Sequence, residues 1–340
     1  MRNLWSKAGL TAVLVALATT LVSTGAIAQT YKIATLAPEG SDWMNQMKAG
    51  AKEIKTRTDG RVTFKFYGGG VMGNDKKVLR KIRNGQLQGG AFTSGSLADR
   101  FAGMHLYGMP FVFNDLDEVA VVRAAMDDYL KQGLLDKGMV SFGLASGGFA
   151  QIMSNYPVRG VDDLKGKRVW VPEGDVISYA AMEEFGLSPV TLPTTDVLTG
   201  LQTGLIDVIG SSAIGALVLQ WHTKVTHISS MPVSYLYAVM VVDKKRFDRM
   251  SATDQVIVSE VFEKVYANLD AQNDVDNVKA LDALRSSGLE VVEPTPGLLA
   301  ELKEDSRALW FEMAKNGVVP KDKLEEMEQL LRAHRAANSE

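Results

Sequence analysis

Short apolar segments alternate with amphipathic segments along most of the chain, and this order predicts an α/β fold. The first part contains three short apolar segments that end at glycine-rich or small-residue turns. Between them, apolar residues recur every three or four positions, which is the spacing of one helix face. Strands separated by helices favour a parallel sheet, so we predict a βαβαβ unit here. Its strands and helices, in chain order, are residues 31–36, 42–57, 62–67, 75–82 and 90–92.

The middle of the chain predicts a crossing between two lobes. Apolar strands at 140–145 and 149–153 are separated by Ser146-Gly147-Gly148, where the pattern loosens. We expect the chain to leave the first lobe there, and a long apolar strand at 234–242 to return to it. The predicted lobes are 29–148 with part of 234–260, and 149–233 with part of 261–340.

One helix is predicted to be much longer than the others. Ser251 and Asp254 form a capping-box pattern, and the helical spacing continues to about Arg285. Such a length exceeds that of ordinary globular helices and is enough to run across both lobes. The remaining predictions are strands 168–171, 190–193, 206–209 and 289–292 and helices 116–129, 196–203, 296–315 and 321–336.

The strand predicted at 168–171 ends at Pro172, which cannot donate a hydrogen bond to a sheet. The next three residues turn the chain, and Asp175 can cap a following helix. A strand end followed by a helix start is where open α/β sheets bind ligands. We therefore expect Trp170, near the end of this strand, to line a binding cleft between the lobes.

The N-terminal segment has the three parts of a secretory signal peptide. Arg2 and Lys7 give a positive start, residues 8–22 are mainly apolar, and Ala26-Ile27-Ala28 is a small-residue cleavage pattern. We expect cleavage after Ala28 and a periplasmic mature chain. The alternative is an uncleaved N-terminal anchor helix, which the cleavage pattern disfavours.

Composition narrows the possible functions. A formal net charge of −3 does not favour nucleic-acid binding, and no later apolar segment is long enough to span a bilayer. The absence of cysteine excludes thiol catalysis and cysteine-bound metals. The four histidines lack metal-ligand spacing, and residues 210–214 miss the last glycine of a G-x-S-x-G nucleophile motif. We therefore predict no catalytic residue, metal or cofactor, and a chain that is not itself embedded in the membrane.

Six segments resemble, in order and spacing, the solute-binding subunits of TRAP (tripartite ATP-independent periplasmic) transporters. They are residues 32–40, 67–70, 84–88, 110–113, 163–169 and 201–207, and they extend over nearly all of the mature chain. The resemblance implies a periplasmic-binding-protein-like fold with two α/β lobes, a hinge and a long helix spanning both lobes. It also implies closure over one small organic solute, which a TRAP-type membrane permease then receives.

Two positions depart from the pattern of that family, so the chain resembles a divergent branch. The family carries an arginine where this sequence has Trp170, and a guanidinium there suits the carboxylate of the solute. A second arginine often follows the Gly-Phe of the hinge, where this chain has Ala150 and then Gln151. Arg168 lies two residues before Trp170 and therefore on the same face of the strand.

The leading hypothesis is that Trp170 stacks against an apolar or unsaturated solute, and the alternative is that it packs between strand and helix without ligand contact. Aromatic residues that could extend this surface, each also a candidate for the core, are Trp43, Phe92, Phe149, Trp221 and Tyr235. Polar candidates are Gln151, Glu173, Ser211, Ser212 and Arg168. The alternative solute is a carboxylate such as a keto acid, held by Arg168, Gln151, the serines and backbone donors. A periplasmic sensor subunit that presents its closed form to a receptor is a further alternative.

Overall fold

The computed structural model describes residues 28–338, so the expected signal peptide lies outside the described residues except for Ala28. Strands and helices alternate, as predicted for an α/β protein. The strands are β1 Gln29–Ala34, β2 Val62–Tyr67, β3 Gly89–Thr93, β4 Met139–Ser154, β5 Trp170–Pro172, β6 Val190–Leu192, β7 Val208–Ser211, β8 His227–Ser229, β9 Ser234–Asp243 and β10 Glu290–Val292. The helices are α1 Asp42–Arg57, α2 Asp75–Arg83, α3 Leu116–Asp136, α4 Val176–Glu184, α5 Val197–Thr203, α6 Ala213–Val218, α7 Lys244–Phe247, α8 Ala252–Ser286, α9 Leu298–Lys315 and α10 Lys321–Ala337. Short 3₁₀ helices occupy Ser94–Leu97, Ala102–Gly108, Val161–Leu164, Thr194–Asp196 and Trp221–Lys224.

Polar side chains cap the first turns of several helices. Ser41, Asn74 and Ser251 each accept a hydrogen bond from the third backbone N–H beyond them, at 3.1–3.3 Å. These bonds satisfy donors that have no partner inside the helix. The starts of α1, α2 and α8 are therefore determined locally, by one side chain each.

The largest sheet has the order β10-β8-β4-β9-β3-β1-β2, with β7 pairing with β4 beside this path. β1 pairs in parallel with both β2 and β3, which confirms the predicted parallel βαβαβ unit. β9 runs antiparallel between β3 and β4, and so returns to the first lobe as expected. β5 and β6 form a separate parallel pair.

The first crossing between the lobes is made by one continuous strand, where we predicted two strands separated by a break. β4 runs without a break from Met139 to Ser154, and its pairing with β9 shifts register between Ser141 and Leu144 and again between Ser146 and Gly148. The loosened pattern at 146–148 is therefore a bulge, which bends a strand without ending it. Beyond Ala150, β4 pairs with β7 and β8 of the second lobe.

Other boundaries also differ from the predictions. β7 begins at Val208 and includes Gly210 and Ser211, because those residues pair with β4. Pro172 is the last residue of β5, which tolerates proline because it belongs to a two-stranded sheet. Sequence patterns also missed β8, α6 and α7, which are too short to show a period.

The long helix α8 is confirmed, and it packs into the cores of both lobes. Its first half joins a cluster with strands and helix α1 of the first lobe, through Val258, Phe262 and Leu269. Its second half joins the core of the second lobe through Ala280 and Leu284. One helix therefore connects the two cores.

Polar residues in the middle of α8 hold the bulge of β4. Asp270 Oδ1 accepts from the backbone N–H of Ser146 at 2.7 Å. Asn273 Nδ2 donates to the Ser146 carbonyl at 2.6 Å, and Asn277 Nδ2 donates to the Gly147 carbonyl at 3.2 Å. The bulge exposes backbone groups that the strand ladder no longer satisfies, and the helix supplies their partners.

The last two helices, α9 and α10, pack against residues from the first half of the chain. Trp310 donates to the Pro110 carbonyl at 3.0 Å, and Arg335 of α10 donates two hydrogen bonds to Glu118 of α3 at 2.7 and 2.8 Å. The residue boundaries predicted for the two lobes stay a prediction.

Gly148 offers a test of the bulge. It has φ +77°, and a Cβ added there would lie 2.6 Å from Asn277 Nδ2. We expect Gly148→Ala to lower the free energy of unfolding by about 1–3 kcal/mol more than Gly138→Ala, because it also displaces the amide that holds the bulge. Gly138 is the matched control, with φ +80° and no atom within 4 Å of the added Cβ. Urea unfolding of both variants measures the difference, and equal losses would contradict the role assigned to Asn277.

Candidate functional site

Glu173 joins the two lobes across the cleft. It lies in the turn between β5 and α4, where its carboxylate accepts from Asn74 Nδ2 and from Lys76 Nζ, each at 3.1 Å. Asn74 caps α2 on the opposite lobe, and Lys76 is in the first turn of that helix. The side chain of Glu173 is about one-third exposed, so these bonds are accessible to competing water. Of the polar residues predicted from sequence, Glu173 is the one that these hydrogen bonds place at the junction of the lobes.

The backbone of the glycine-rich loop after β2 also approaches the second lobe. A Cβ added at Gly70 would lie 2.9 Å from Thr195 Cγ2, and Gly70 has φ +71°. Glycine is therefore required at this position for two reasons: the backbone has a positive φ, and the other lobe approaches it too closely for a side chain. Gly70 and Glu173 together show that the two sides of the cleft are in contact.

His105 is a buried polar residue near the same junction. It lies in the 3₁₀ helix Ala102–Gly108 and is 7% exposed. Burial lowers the pKa of His105, while the nearby carboxylates of Asp175 and Asp99 act in the opposite direction. Because burial disfavours the charged imidazolium, His105 is neutral at neutral pH.

A narrow recess lies on the first-lobe side of the cleft. It is formed where β1 ends, where the glycine-rich loop turns and where α2 begins, and its lining residues are Ala34, Thr35, Leu36, Gly70, Met72, Gly73, Asp75, Val78 and Ala91. Asp75 is the charged member of this group. Ser96 donates a hydrogen bond from its hydroxyl to Asp75 Oδ2, and burial raises the pKa of Asp75.

Trp170 lies in the core of the second lobe. Its side chain is 6% exposed, and its ring meets that of Trp221 edge to face, with centroids 5.3 Å apart. Its indole N–H donates to the Leu192 carbonyl at 2.9 Å, so the polar edge of the ring is already used inside the lobe. Its contribution to ligand binding stays a prediction.

The other aromatic candidates occupy three separate places. Phe149 and Tyr235 face each other across β4 and β9, with ring centroids 5.8 Å apart. Phe92 is buried in the first-lobe core beside α2. Trp43 packs edge to face on Phe66, with centroids 6.0 Å apart. The structure therefore pairs Phe149 with Tyr235 and Trp170 with Trp221, whereas Phe92 and Trp43 pack against residues that are not candidates.

Tyr235 also belongs to a polar network on the α8 side of the crossover. Its hydroxyl accepts from Arg123 Nη1 at 3.3 Å, and the same guanidinium donates to Asp270 at 2.6 Å and to the Leu144 carbonyl at 2.9 Å. Burial raises the pKa of Tyr235 to about 12. An open groove of about 450 Å³ passes these residues. Arg123 also pairs with Asp127 at 2.9 Å, so its guanidinium is bound to two carboxylates beside the crossover.

The remaining polar candidates are bound within the second lobe. Ser212 caps α6, and the Ser211 hydroxyl donates to the Ser212 carbonyl at 3.2 Å. Gln151 pairs with Ser211 across β4 and β7. Arg168 is about half exposed and holds Asp207 with two hydrogen bonds of 2.6 and 2.8 Å. This contact lowers the pKa of Asp207, and it leaves Arg168 with an intramolecular partner for its guanidinium.

Sequence reasoning missed the first-lobe side of the cleft. Asn74, Asp75 and Lys76 begin α2 directly after β2 and its glycine-rich loop. The signal was present, because a strand end followed by a helix start also occurs here. We applied this rule to the second lobe alone and interpreted residue 75 as an ordinary helix start.

The fold and the cleft define a class: two-lobed binding proteins in which strands cross between the lobes. Two solved structures share the fold at low sequence identity. The sugar acid binding protein of Advenella mimigardefordensis DPN7T, in complex with galactonate, has a TM-score of 0.83 at 16% identity and covers 90% of this chain and 98% of its own. A TRAP periplasmic solute-binding protein of Xanthobacter autotrophicus Py2, with bound β-D-galacturonate, has a TM-score of 0.81 at 21% identity, covering 89% and 99%.

The chain belongs to the family described as bacterial extracellular solute-binding protein, family 7, whose model matches residues 33–316. Two relatives are the 2,3-diketo-L-gulonate-binding periplasmic protein YiaO of Escherichia coli K12 and the C4-dicarboxylate-binding periplasmic protein DctP of Rhodobacter capsulatus. The first is 26% identical over 251 residues, covering 70% of this chain and 73% of the relative. The second is 24% identical over 264 residues, covering 75% of each. The resemblance to TRAP solute-binding subunits is confirmed, and this is a family of binding proteins and not of enzymes.

Across residues 28–338, no helix is both long enough and apolar enough to cross a bilayer.

Substitution of Trp170 tests whether its indole mainly stabilises the core of the second lobe or contacts the solute. As a core residue, Trp170→Ala should lower the free energy of unfolding by about 3–5 kcal/mol, because it leaves a cavity beside Trp221. Trp170→Phe is the control, because it keeps a ring in the cavity and removes the N–H that reaches Leu192. Urea unfolding without solute measures both. An unchanged stability of Trp170→Ala, with binding lost, would instead place the indole on the solute.

Proposed function

We propose that the chain captures a small organic solute between its lobes and delivers it to a TRAP-type membrane permease. The observation that carries this proposal is the contact of Glu173 with Asn74 and Lys76, which joins the lobes across the cleft. A solute that touches both lobes binds the closed arrangement more tightly than the open one, and so shifts the population towards closure. The permease then receives the closed form.

The proposed location is the periplasm. Residues 1–28 have the pattern of a secretory signal peptide, with cleavage after Ala28. Periplasmic relatives within the family support this location. Mass spectrometry of the N-terminus of the exported protein would test the cleavage position directly.

We propose a solute with an apolar or aromatic body and few charges. The two positions at which the family pattern has arginine hold Trp170 and Ala150, neither of which binds a carboxylate. Arg168, the nearest substitute in sequence, is paired with Asp207. Gln151, Ser211 and Ser212, which we named as polar contacts, offer neutral groups only.

The second candidate is a carboxylate, such as a keto acid, as in the ordinary members of the family. The names of the relatives favour it, since one binds 2,3-diketo-L-gulonate and the other C4-dicarboxylates. In this case, Gln151, the serines and backbone donors hold the acid. To bind the acid, Arg168 would first have to break its hydrogen bonds to Asp207. The interaction gained with the solute would then be offset by the one lost inside the protein.

Transport itself is tested by gene deletion. The solute that co-purifies with the exported protein is identified by mass spectrometry and then supplied in labelled form. We expect the deletion strain to lose its high-affinity uptake and to regain it when the gene is restored. Intact uptake combined with lost induction would contradict transport and indicate a sensor subunit.

The lobe contact is tested by Glu173→Gln. Loss of the charge weakens an exposed pair with Lys76, so we expect the solute affinity to fall by about 2- to 5-fold. Glu183→Gln is the control, since it removes the same charge from an exposed position on the adjacent helix α4. Calorimetric titration measures the affinities, and small-angle scattering measures closure with and without solute. A Glu173→Gln protein that binds and closes like the wild type would contradict the role of this contact.

A further inference from the structure

We infer that a cavity between the second lobe and helix α9 is a binding site for a small uncharged apolar molecule, of the size of a short hydrocarbon. The site is separate from the one proposed for the solute. All of the candidate solute contacts lie in the described part of the chain, and none of them lines this cavity. Its lining, its volume, its two walls and the backbone of Phe111 support the site.

The lining of the cavity is almost entirely apolar. Thirteen of the sixteen residues that line it are apolar, and the other three are Gly160, Ser178 and Ser234. None of the sixteen carries a charge, and Ser178 Oγ already donates to Asp175 Oδ2 at 2.6 Å. A buried water needs roughly two to four polar partners, so this lining favours an apolar occupant over water.

The cavity has room for such an occupant. Its volume is about 70 Å³. Dry apolar cavities of roughly 150 Å³ bind benzene or xenon, so the smaller space here suits a xenon atom or a hydrocarbon smaller than benzene. Val161, Met182 and Phe185 on its wall are half-buried, so one side of the cavity lies close to solvent and gives a route of entry.

Two separately packed groups of side chains form the walls. On one side, Ile152 and Val158 belong to a hydrophobic cluster of the second lobe. On the other side, Phe111 and Leu302 of α9 form a smaller cluster with Met231. The cavity lies where these two clusters meet, so an occupant contacts both of them.

Backbone hydrogen bonds hold the two walls at their present spacing. The Phe111 N–H donates to the Val233 carbonyl at 2.7 Å. The N–H of Thr295, which lies just before α9, donates to the Arg159 carbonyl at 2.9 Å. Because an occupant contacts both walls, it stabilises the arrangement in which these bonds are made.

The backbone of Phe111 is strained where it lines the cavity. It has φ +55°, in the left-handed region that an aromatic residue rarely adopts. Its side chain is buried. Strained backbone persists where the surrounding structure holds it, and it is concentrated at ligand clamps and switch regions. This strain marks the cavity independently of its apolar lining.

The test uses the full mature chain with isotope-labelled methionine methyl groups. Met182 and Met231 line the cavity and serve as reporters, while Met44 and Met47 lie in the core of the first lobe and serve as references. Methyl spectra are recorded under rising pressures of xenon and of cyclopropane, and with formamide as a small polar probe. Met182→Leu and Met231→Leu assign the two reporter signals.

We expect xenon and cyclopropane to shift both reporter signals until they saturate, and formamide to leave them unchanged. Ala181→Leu extends an apolar side chain into the cavity from α4 and should weaken both gases by about 10-fold or more, because protein interiors contain little other free space. Ala125→Leu is the matched control, since it makes the same change at an exposed position of α3. Val158→Ile adds one methylene to the lining and should weaken binding by less, which keeps the site testable if Ala181→Leu does not fold.

The contact with both walls has its own readout. Bound cyclopropane should slow amide hydrogen exchange at Phe111, because the opening that exposes this N–H first releases the gas. At ten times its dissociation constant, the expected slowing is about 10-fold. Ala181→Leu should remove this effect.

Three results would overturn the inference. Reporter signals that do not move at saturating gas pressure, or that move equally in Ala181→Leu, exclude binding in this cavity. Magnetisation transfer from a bound water to the Met182 methyl group would show a hydrated cavity and contradict its apolar chemistry. Unchanged exchange at Phe111 with the gas bound contradicts the contact with both walls. Solute capture is unaffected by any of these results, because the candidate solute contacts lie elsewhere.

Discussion

The contact between the polar middle of α8 and the bulge of β4 is the constraint on which the two-lobed structure depends. A strand that crosses between lobes has to bend, and a bend breaks its ladder of backbone hydrogen bonds. Asp270, Asn273 and Asn277 supply the missing partners from one face of one helix. The same helix is packed by apolar residues into both cores, so the crossing, the bend and the relative placement of the lobes are determined together.

The cleft formed by this arrangement brings charged groups of both lobes together. The arginines described near it are already bound: Arg123 to the crossover, and Arg168 to Asp207. At the junction of the lobes, Glu173 of one lobe binds Asn74 and Lys76 of the other. The fold and the family are shared with binding proteins named for organic acids. In this chain, the side chains that join the lobes are a carboxylate, an amide and a lysine.

Local signals in the sequence predicted much of the fold. The capping pattern at Ser251 placed the start of α8 within one residue, since a cap is a contact between neighbours in the chain. The break predicted at 146–148 was wrong because the residues that hold the bulge lie more than 120 positions away, on α8. No local pattern carries that information.

The site was harder to predict than the fold for the same reason. The sequence placed Trp170 correctly on a short strand, but the surroundings of its ring are set by Trp221, which is 51 residues later. Asp75 was missed because a carboxylate in the first turn of a helix is common and has a local explanation. Its special feature, burial against Ser96 beside the cleft, comes from the approach of β3 to α2.

The length of α8 has a mechanical consequence. At about 1.5 Å per residue, its 35 residues form a rod of roughly 50 Å that is fastened at each end to a different hydrophobic core. Two bodies fastened to one rod cannot separate unless the rod flexes or one body slides along it. The side chains between the fastened ends contact β4 through polar bonds, so a change in the relative placement of the lobes has to strain or exchange these bonds.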